Sequence, residues 1–595
     1  MLKIPIFAGN SFAGLNKLPD FLFITLKFEI TTMSKYRLFL STLILFLLSS
    51  SGYSQYKYYK LWFSGKDSSY DVSRPSEFLS SKALERRLIQ QIPVVESDLP
   101  VNRAFISEIK NSGAEVVYIS KWLNMAIVKT DAQTFNNKFS RFSFVKKYQS
   151  ADHLFTQRSL SKSKSHFDKE MIEKLSARAL RASHKTLSGS YNYGASANQV
   201  EMIGIHHLHE MGFNGQGIMI GVIDAGYNSV NTHPAFDSLR LNGQILGTRD
   251  FVQPGNDVYS TSINSHGTMV LSTMGGNLPG QLIGTAPKAS YWLLRSEDAT
   301  AEYLLEEYYW VNAAEFADSV GVDIINSSLG YSLFDNPAEN HSYADMDGNT
   351  TVVTIGADMA AAKGILVVNS AGNSGGNAWQ YITAPADGDS VFTIGAVDPA
   401  GLYAYFSSQG PTSDGRTKPD VSAQGISTIV ATVPTGIAGG NGTSFSSPLI
   451  AGASACLWQA NPTLSNMELM AAIKGSATKS GNPDNFLGWG IPDFNQANNI
   501  LSTNLIRYSS AISELRVYPN PFTNQLNIEL NADRSLKVDI QLISSSGVVS
   551  ATLKQITLEA GKNKLELKNL GKLSPGMYML QVFDGNTIIG EKVIR

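Results

Sequence analysis

Histidine is scarce in this sequence, and its distribution limits the chemistry. All nine histidines fall at or before His341. A hydrolase with the chain order nucleophile, acid, histidine therefore has no place for a serine nucleophile beyond that point. Gly372-Asn373-Ser374-Gly375-Gly376 has the spacing of a G-x-S-x-G elbow, but it fails on order and lacks a clear helix behind it. The order acid, histidine, serine is open. Asp224 closes the apolar run Gly221-Val222-Ile223, His266 stands in Ser265-His266-Gly267-Thr268, and Ser444 stands in Gly442-Thr443-Ser444-Phe445-Ser446-Ser447-Pro448. A serine hydroxyl is a weak nucleophile until a base takes its proton, and an imidazole is suited to that task near neutral pH. A buried aspartate fixes the imidazole tautomer and stabilises the imidazolium. Asn373 follows an apolar run and offers a side-chain amide donor for a developing oxyanion.

These residues need a scaffold that brings distant segments to one edge. Ile218 to Ile223 is continuously apolar, as expected of a strand buried on both faces. Ala301 to Val320 has the pattern of a long amphipathic helix leading into a strand at Val322 to Ile325. Met359 to Lys363 ends another helix, and Gly364 opens a strand at Ile365 to Val368. Leu449 to Ala460 reads as an apolar helix with Ser444 near its first turn. Alternating strands and helices over 195–505 predict an α/β, doubly wound, mostly parallel sheet, whose functional edge is the carboxyl ends of the strands. This alternation excludes an all-β chymotrypsin-like arrangement built on Gly372 to Gly376.

Taken together, the segments resemble the subtilases, the subtilisin-like serine peptidases. The resemblance spans roughly 195–500 and implies that Asp224, His266 and Ser444 form the triad, with Asn373 in the oxyanion hole. Ser328-Leu329-Gly330 matches the family's substrate-pairing strand, and Ala371 and Gly372 fall beside it as substrate-binding positions. Gly284-Thr285-Ala286-Pro287 and Lys418-Pro419-Asp420-Val421 match signatures of structural character. Phe445 stands where Met is commoner, and Gln424 where Pro is common. The resemblance implies a serine endopeptidase made as a proenzyme, acting on protein or peptide substrates, with no cofactor required for the chemistry. The family's strong calcium site is not recognisable. Asp345-Met346-Asp347-Gly348-Asn349 is oxygen-rich, but the remaining ligands are missing, and a turn capping the next helix is the simpler reading.

The flanks have their own patterns. Met33, Lys35 and Arg37 precede the apolar run Leu38 to Leu48 and the small residues up to Ser54, the pattern of a secretory signal; residues 1–32 then precede the expected start at Met33. Residues 55–150 read as a small α+β unit resembling the family's propeptides, a chaperone and inhibitor of the enzyme. Helices are expected at Val101 to Ser112 and Asp131 to Phe142, and strands at Ala114 to Ser120, Leu123 to Thr130 and Phe144 to Tyr148. The Ser-, Lys- and Arg-rich stretch 151–194 reads as a linker where processing would occur. Residues 512–595 carry seven short strand runs and predict a β-sandwich. Tyr518-Pro519-Asn520-Pro521 and the terminal Lys592-Val593-Ile594-Arg595 resemble the type IX (Por) sorting domain, implying that secretion machinery as partner and a secreted or cell-surface protein.

Composition sets outer limits. A net charge of -2 gives no basic signature for nucleic acid, and one cysteine, Cys456, excludes an intrachain disulfide. Cys456 lies in an apolar helix and reads as buried and inert. His206, His207 and His209 beside Glu210 lack the H-E-x-x-H spacing and read as a helix surface rather than a metal site. Tyr303, Tyr308, Tyr309 and Trp310 read as core and rim of their helix rather than as a groove wall. A surface carrier using the α/β unit as a passive platform is the competing function, but it leaves Asp224, His266 and Ser444 unexplained.

Overall fold

The structure, a computed structural model, describes residues 56–155, 172–173, 191–504, 512–544, 549–584 and 588–595. The segment expected to be an export signal and most of the stretch expected to be a linker lie outside the described residues.

The N-terminal unit is a four-stranded antiparallel sheet in the order β2-β3-β1-β4, with β1 (Tyr56–Phe63), β2 (Glu115–Ser120), β3 (Met125–Asp131) and β4 (Val145–Ser150). The helices Ser81–Ile89 and Arg103–Asn111 are N-capped by Ser80 and Asn102, whose side chains accept from backbone amides of the first turn. The helix expected over Asp131 to Phe142 is shorter. Asp131 caps Ala132–Asn137, Lys138 leaves helical geometry, and a separate turn follows at Phe139–Arg141. Leu61, Ile109, Val128 and Phe139 centre this unit's own core.

Past β5 (Ile172–Glu173), a seven-stranded parallel sheet runs in the order β14-β13-β12-β11-β6-β10-β7. Its first strands are β6 (Met219–Asp224) and β7 (Ile245–Asp250), followed by a short ribbon, β8 (Asn277–Leu278) and β9 (Leu282–Ile283). The others are β10 (Ser290–Arg295), β11 (Ile324–Ser327), β12 (Leu366–Ser370), β13 (Phe392–Val397) and β14 (Val421–Gln424). Both faces are apolar because helices cover both. Ile220, Val222, Ile324, Leu366 and Val368 pack with Val270, Leu271, Leu449 and Ile450. Ile223, Ile325 and Val367 point the other way, towards Val311, Ala314, Val353 and Ala357. A period of two with no polar partner face is the mark of a central parallel strand.

A hairpin, β15 (Thr428–Thr432) and β16 (Gly436–Gly440), leads into the helix Thr443–Ala460, and β5 adds antiparallel to β16 through Gly439 and Gly440. The C-terminal unit holds β17 (Ile512–Tyr518), β18 (Leu526–Ala532), β19 (Leu536–Ser544), β20 (Val549–Leu558), β21 (Gly561–Leu567), β22 (Met577–Phe583) and β23 (Ile588–Ile594). They form sheets β17-β18-β21 and β20-β19-β22-β23. Alternate residues such as Ile528, Leu530, Ile540, Leu542, Leu580 and Val582 share one core, as a sandwich requires. No helix among the described residues is long and apolar enough to cross a membrane.

The N-terminal unit sits on the helix Leu305–Val320. Tyr118, Met125 and Ile127 pack against Leu305 and Tyr308, with the Tyr118 and Tyr308 rings 5.4 Å apart edge to face. Tyr308 is thus neither groove wall nor simple core: it is covered by the N-terminal unit. Glu315 accepts from the backbone amides of Lys121 (3.1 Å) and Trp122 (2.9 Å) and from the Ser120 hydroxyl. Arg86 and Arg87 both reach Asp318, at 2.6 and 2.9 Å, and Asp98 receives Arg87 at 2.8 Å and Lys363 at 2.6 Å. All five charges are buried. Burial opposes the charge on Asp98, but Arg87 and Lys363 outweigh it and hold its carboxyl at about 2. Removing one member of such a network strands the others in a dry interface. Asp318→Asn should therefore cost about 3–5 kcal/mol, read as a lower thermal midpoint of the proenzyme. Arg74→Gln, which breaks an exposed pair with Glu77, should change the midpoint little.

Candidate active site

Asp224 is the last residue of β6 and is fully buried. Its Oδ1 accepts from the Ala225 amide at 2.7 Å and from His266 Nδ1 at 2.7 Å. Just beyond it, Tyr227 is pinned by its hydroxyl, which donates to the Val222 carbonyl at 2.5 Å and accepts from the Leu294 amide at 3.1 Å. His266 is the first residue of the helix His266–Gly275, where its own amide donates to Asn264 Oδ1 at 2.7 Å. A proton shared with Asp224 belongs on Nδ1, which leaves the Nε2 lone pair for another task. Gly267 allows the approach: a Cβ there would lie 2.6 Å from the Gly226 carbonyl oxygen and 3.0 Å from Asp224 Cβ.

Ser444 is the second residue of the helix Thr443–Ala460 and is almost fully buried. The next residue, Phe445, places its ring 6.1 Å from the His266 imidazole, so the serine helix abuts the histidine. Ser328 ties the neighbouring strand end to the nucleophile: its Oγ donates to the Ser444 carbonyl at 3.0 Å, and Ser444 Oγ lies 3.5 Å from the Ser328 carbonyl. Asn326 supports both, donating to Ser328 Oγ at 3.2 Å and accepting from Ser447 Oγ at 3.1 Å. Asn373 Oδ1 accepts from the Thr443 amide and hydroxyl, each at 2.9 Å. That amide is an obligatory donor, so the side chain's orientation is set and Nδ2 is the end left over. Among the described residues Nδ2 donates to no protein atom. Thr443 Oγ1 also accepts from the Gly372 amide at 3.2 Å.

The residues singled out from the sequence therefore gather at one edge. Asp224 and His266 bond directly; Ser444, Asn373, Ser328 and Gly372 are joined through Thr443 and the serine helix. Asn326 and Thr443 escaped sequence reading because their roles depend on which strand ends become neighbours.

Family models match three stretches: the Subtilase family over residues 215–490, the Peptidase S8 propeptide domain of Bacteroidota over 58–168, and the Secretion system C-terminal sorting domain over 516–595. The subtilisin of Bacillus pumilus is 32% identical over 278 residues, covering 46% of this chain and 88% of that protein. The chain belongs to the subtilase family. Subtilisin DY of Bacillus licheniformis is 31% identical over 286 residues, 47% of this chain and 91% of that protein. Subtilisin E of Bacillus subtilis (strain 168) is 33% identical over 279 residues, and the match spans 64% of its length.

Around the subtilase site, the other candidates resolve differently. His209 turns inward from the helix Ile205–Glu210, with Nδ1 2.8 Å from the Tyr193 hydroxyl and Nε2 3.0 Å from the Thr285 carbonyl. It is not part of a metal cluster with His206 and His207. Cys456 is buried against the Thr285 carbonyl, and burial pushes its thiol up. The Asp345–Asn349 stretch does not fit a cation loop: Asp347 spends its oxygens on the amides of Asn349 and Thr350 and the Thr350 hydroxyl, just before Thr351 caps the next helix.

A different acidic group was not anticipated. Glu297, Glu302 and Glu306 bring carboxylate oxygens within 4.8 Å of one another, a spacing that could surround one cation. Burial is the main cause that raises Glu297 and Glu306 above the usual carboxylate range, and the Tyr331 hydroxyl donates to Glu297. The helix expected from Ala301 begins only at Leu305, because Glu306 folds back to accept the amides of Asp298 (2.7 Å) and Tyr303 (2.9 Å).

Two outcomes follow from this geometry. Gly267→Val should cost about 1–3 kcal/mol by overpacking and part His266 from Asp224, seen as a lower thermal midpoint and slower labelling by a serine-directed fluorophosphonate. Burial holds the His209 imidazole down at about 4, below its ordinary 6.5. Neutral His209 thus stabilises the fold above pH 6.5, and this contribution is lost as pH falls towards 4, since the unfolded chain binds the proton first. Over that range the thermal midpoint of His209→Gln should fall less steeply than that of the parent.

Proposed function

We propose that this chain is a secreted serine endopeptidase, made as a proenzyme, that hydrolyses peptide bonds through an acyl-enzyme on Ser444. The observation that carries the reading is the 2.7 Å contact between buried Asp224 and His266 in a subtilase domain, with the Ser444 helix packed against the imidazole. His266 Nε2 takes the proton from Ser444 Oγ as that oxygen attacks the peptide carbonyl. The tetrahedral oxyanion receives hydrogen bonds from Asn373 Nδ2 and the first amides of the serine helix. His266 returns its proton to the leaving amine. Water then attacks the acyl group, passing a proton to His266, and the carboxylic acid leaves as Ser444 regains its hydrogen. No metal or organic cofactor enters these steps. The backbone of Ser328, Leu329 and Gly330 pairs with the substrate chain, and Ala371 and Gly372 form the facing wall.

The remaining segments extend the proposal. Residues 1–54 comprise an upstream segment and a signal starting at Met33, and 55–150 are the propeptide that binds its own enzyme. The cut falls in 151–194, the peptidase unit spans 195–505, and 512–595 direct passage through the type IX machinery after signal-dependent entry to the periplasm. The buried charges shared by the N-terminal unit and Asp318 or Lys363 support the propeptide reading.

Purified Ser444→Ala should lose both peptide cleavage and self-processing, and continued cleavage by the pure variant would refute the assignment. Asn373→Ala should lower kcat about 100- to 1000-fold with a small change in KM, a magnitude established on subtilisin itself rather than derived from this geometry.

A further inference from the structure

One buried cation beside the catalytic strand end has no task in the mechanism above. Arg295 is the last residue of β10, the strand between β6 and β7. In the parallel pairing it stands level with Asp224 on one side and with Asp250 on the other. Side chains at level positions of neighbouring parallel strands project from the same face, so one guanidinium lies between two strand ends that each carry a carboxylate. Arg295 is 6% exposed and Asp250 4%.

The guanidinium is bonded in two directions. Its Nη1 donates to Asp250 Oδ2 at 2.8 Å, and its Nε donates to the Ala225 carbonyl at 3.1 Å. Asp250 is itself held, since its Oδ1 accepts from the amides of Val252 at 2.9 Å and Gln253 at 2.8 Å. Ala225 is the residue whose amide donates to Asp224 Oδ1 at 2.7 Å. One residue therefore gives its N–H to the catalytic carboxylate and its C=O to Arg295. The amide of Ser296, next along the chain, donates to the Asp224 carbonyl at 3.1 Å and completes the junction. A cation present only to neutralise Asp250 has no need of the second bond. Taking a guanidinium out of water is costly, and its rigid fork is suited to holding a strand end and a turn together.

We propose that Arg295 is a positioning residue for the catalytic aspartate: braced by Asp250, it fixes the Ala225 turn that aligns Asp224 on His266, and its charge opposes the imidazolium. The inference rests on the peptidase reading above. The other ionisable groups packed around this point are Tyr227 and His266 next to Asp224, Glu297 just beyond Arg295 with Glu302 and Glu306 behind it, and Tyr309 on the helix Leu305–Val320. Burial, and after it Asp224, raises the Tyr227 hydroxyl, while burial, Glu306 and Asp250 push Tyr309 up to about 12. Burial raises Glu297, with Asp224 adding to the rise and Arg295 opposing it. His266 must therefore be read directly rather than through a rate that these acids also influence.

The test uses the mature enzyme, with competent Ser444 sites in each preparation counted by fluorophosphonate labelling so that misfolded material drops out. Two quantities are measured: kcat and KM per competent site on a peptide anilide, and the midpoint of the His266 titration by nitrogen NMR. Arg295→Met should lower kcat at least about tenfold with little change in KM. It should also raise the midpoint by about half a pH unit or more, because a cation that opposes the imidazolium is gone. Asp250→Asn leaves that cation without its counter-charge and should lower the midpoint. Arg295→Lys keeps the charge without the fork, so its midpoint should stay near that of the wild type while kcat stays below it. Lost packing alone would not move the two charge variants in opposite directions. Wild-type kcat in Arg295→Met, or midpoints that move the same way in Arg295→Met and Asp250→Asn, would overturn the proposal while the peptidase reading survives. Should Arg295→Met yield no competent enzyme, an unshifted midpoint in Asp250→Asn overturns it in the same way. If the wild type takes neither label nor substrate, both readings fall together.

Discussion

A carboxylate taken wholly out of water must be paired or it will be protonated, and Asp224 is in that position at the end of the central strand β6. Its partner is the Nδ1 of His266 at 2.7 Å. This contact needs the strand end, the start of a helix and a bare α-carbon at Gly267 to meet within van der Waals limits. Most of the peptidase unit serves to hold those elements. The sheet is apolar on both faces so that helices can clamp it from both sides, and Tyr227 spends its hydroxyl tying the end of β6 to β10. The Ser444 helix then enters along the same edge, fixed at its start by Asn373 and laterally by Ser328.

The N-terminal unit addresses a different constraint. The helix Leu305–Val320 carries an apolar face with Leu305 and Tyr308 and, further along, Glu315 and Asp318 with no solvent to pay for their charge. Tyr118, the Ser120–Trp122 turn, Arg86 and Arg87 satisfy these groups together. A buried ionic network of this kind is a poor source of net stability but a strong source of register, since any misfit leaves a charge alone. It is suited to a unit that must dock in one orientation on a particular helix.

Much of this was legible in the residue order. The continuous apolar run before Asp224 has the pattern of a central strand, and the absence of histidine after His341 excluded the order nucleophile, acid, histidine for any serine beyond it. The resemblance to subtilases rested on the same segments that the structure gathers. What escaped was whatever depends on the neighbours in space. The pattern at Ala301 to Leu304 is helical by composition, but the Glu306 carboxylate captures two amides and delays the helix. Tyr308 reads as core or rim, because periodicity marks an apolar face without saying what covers it. At Asp347 the simpler reading holds: its suggestive ligand chemistry is consumed by the local amides of Asn349 and Thr350, just ahead of the helix that Thr351 caps.

The central claim is that Asp224 holds the proton of neutral His266 on Nδ1, so that Nε2 is the unprotonated nitrogen that can act as a base. Nitrogen NMR of the mature enzyme with labelled histidine, assigned by difference with His266→Gln, reads this tautomer directly. The account predicts a protonated Nδ1 and a bare Nε2 in the neutral ring, lost when Asp224 is replaced by Ala. A neutral ring protonated on Nε2 in the wild type, or one indifferent to Asp224→Ala, would contradict it.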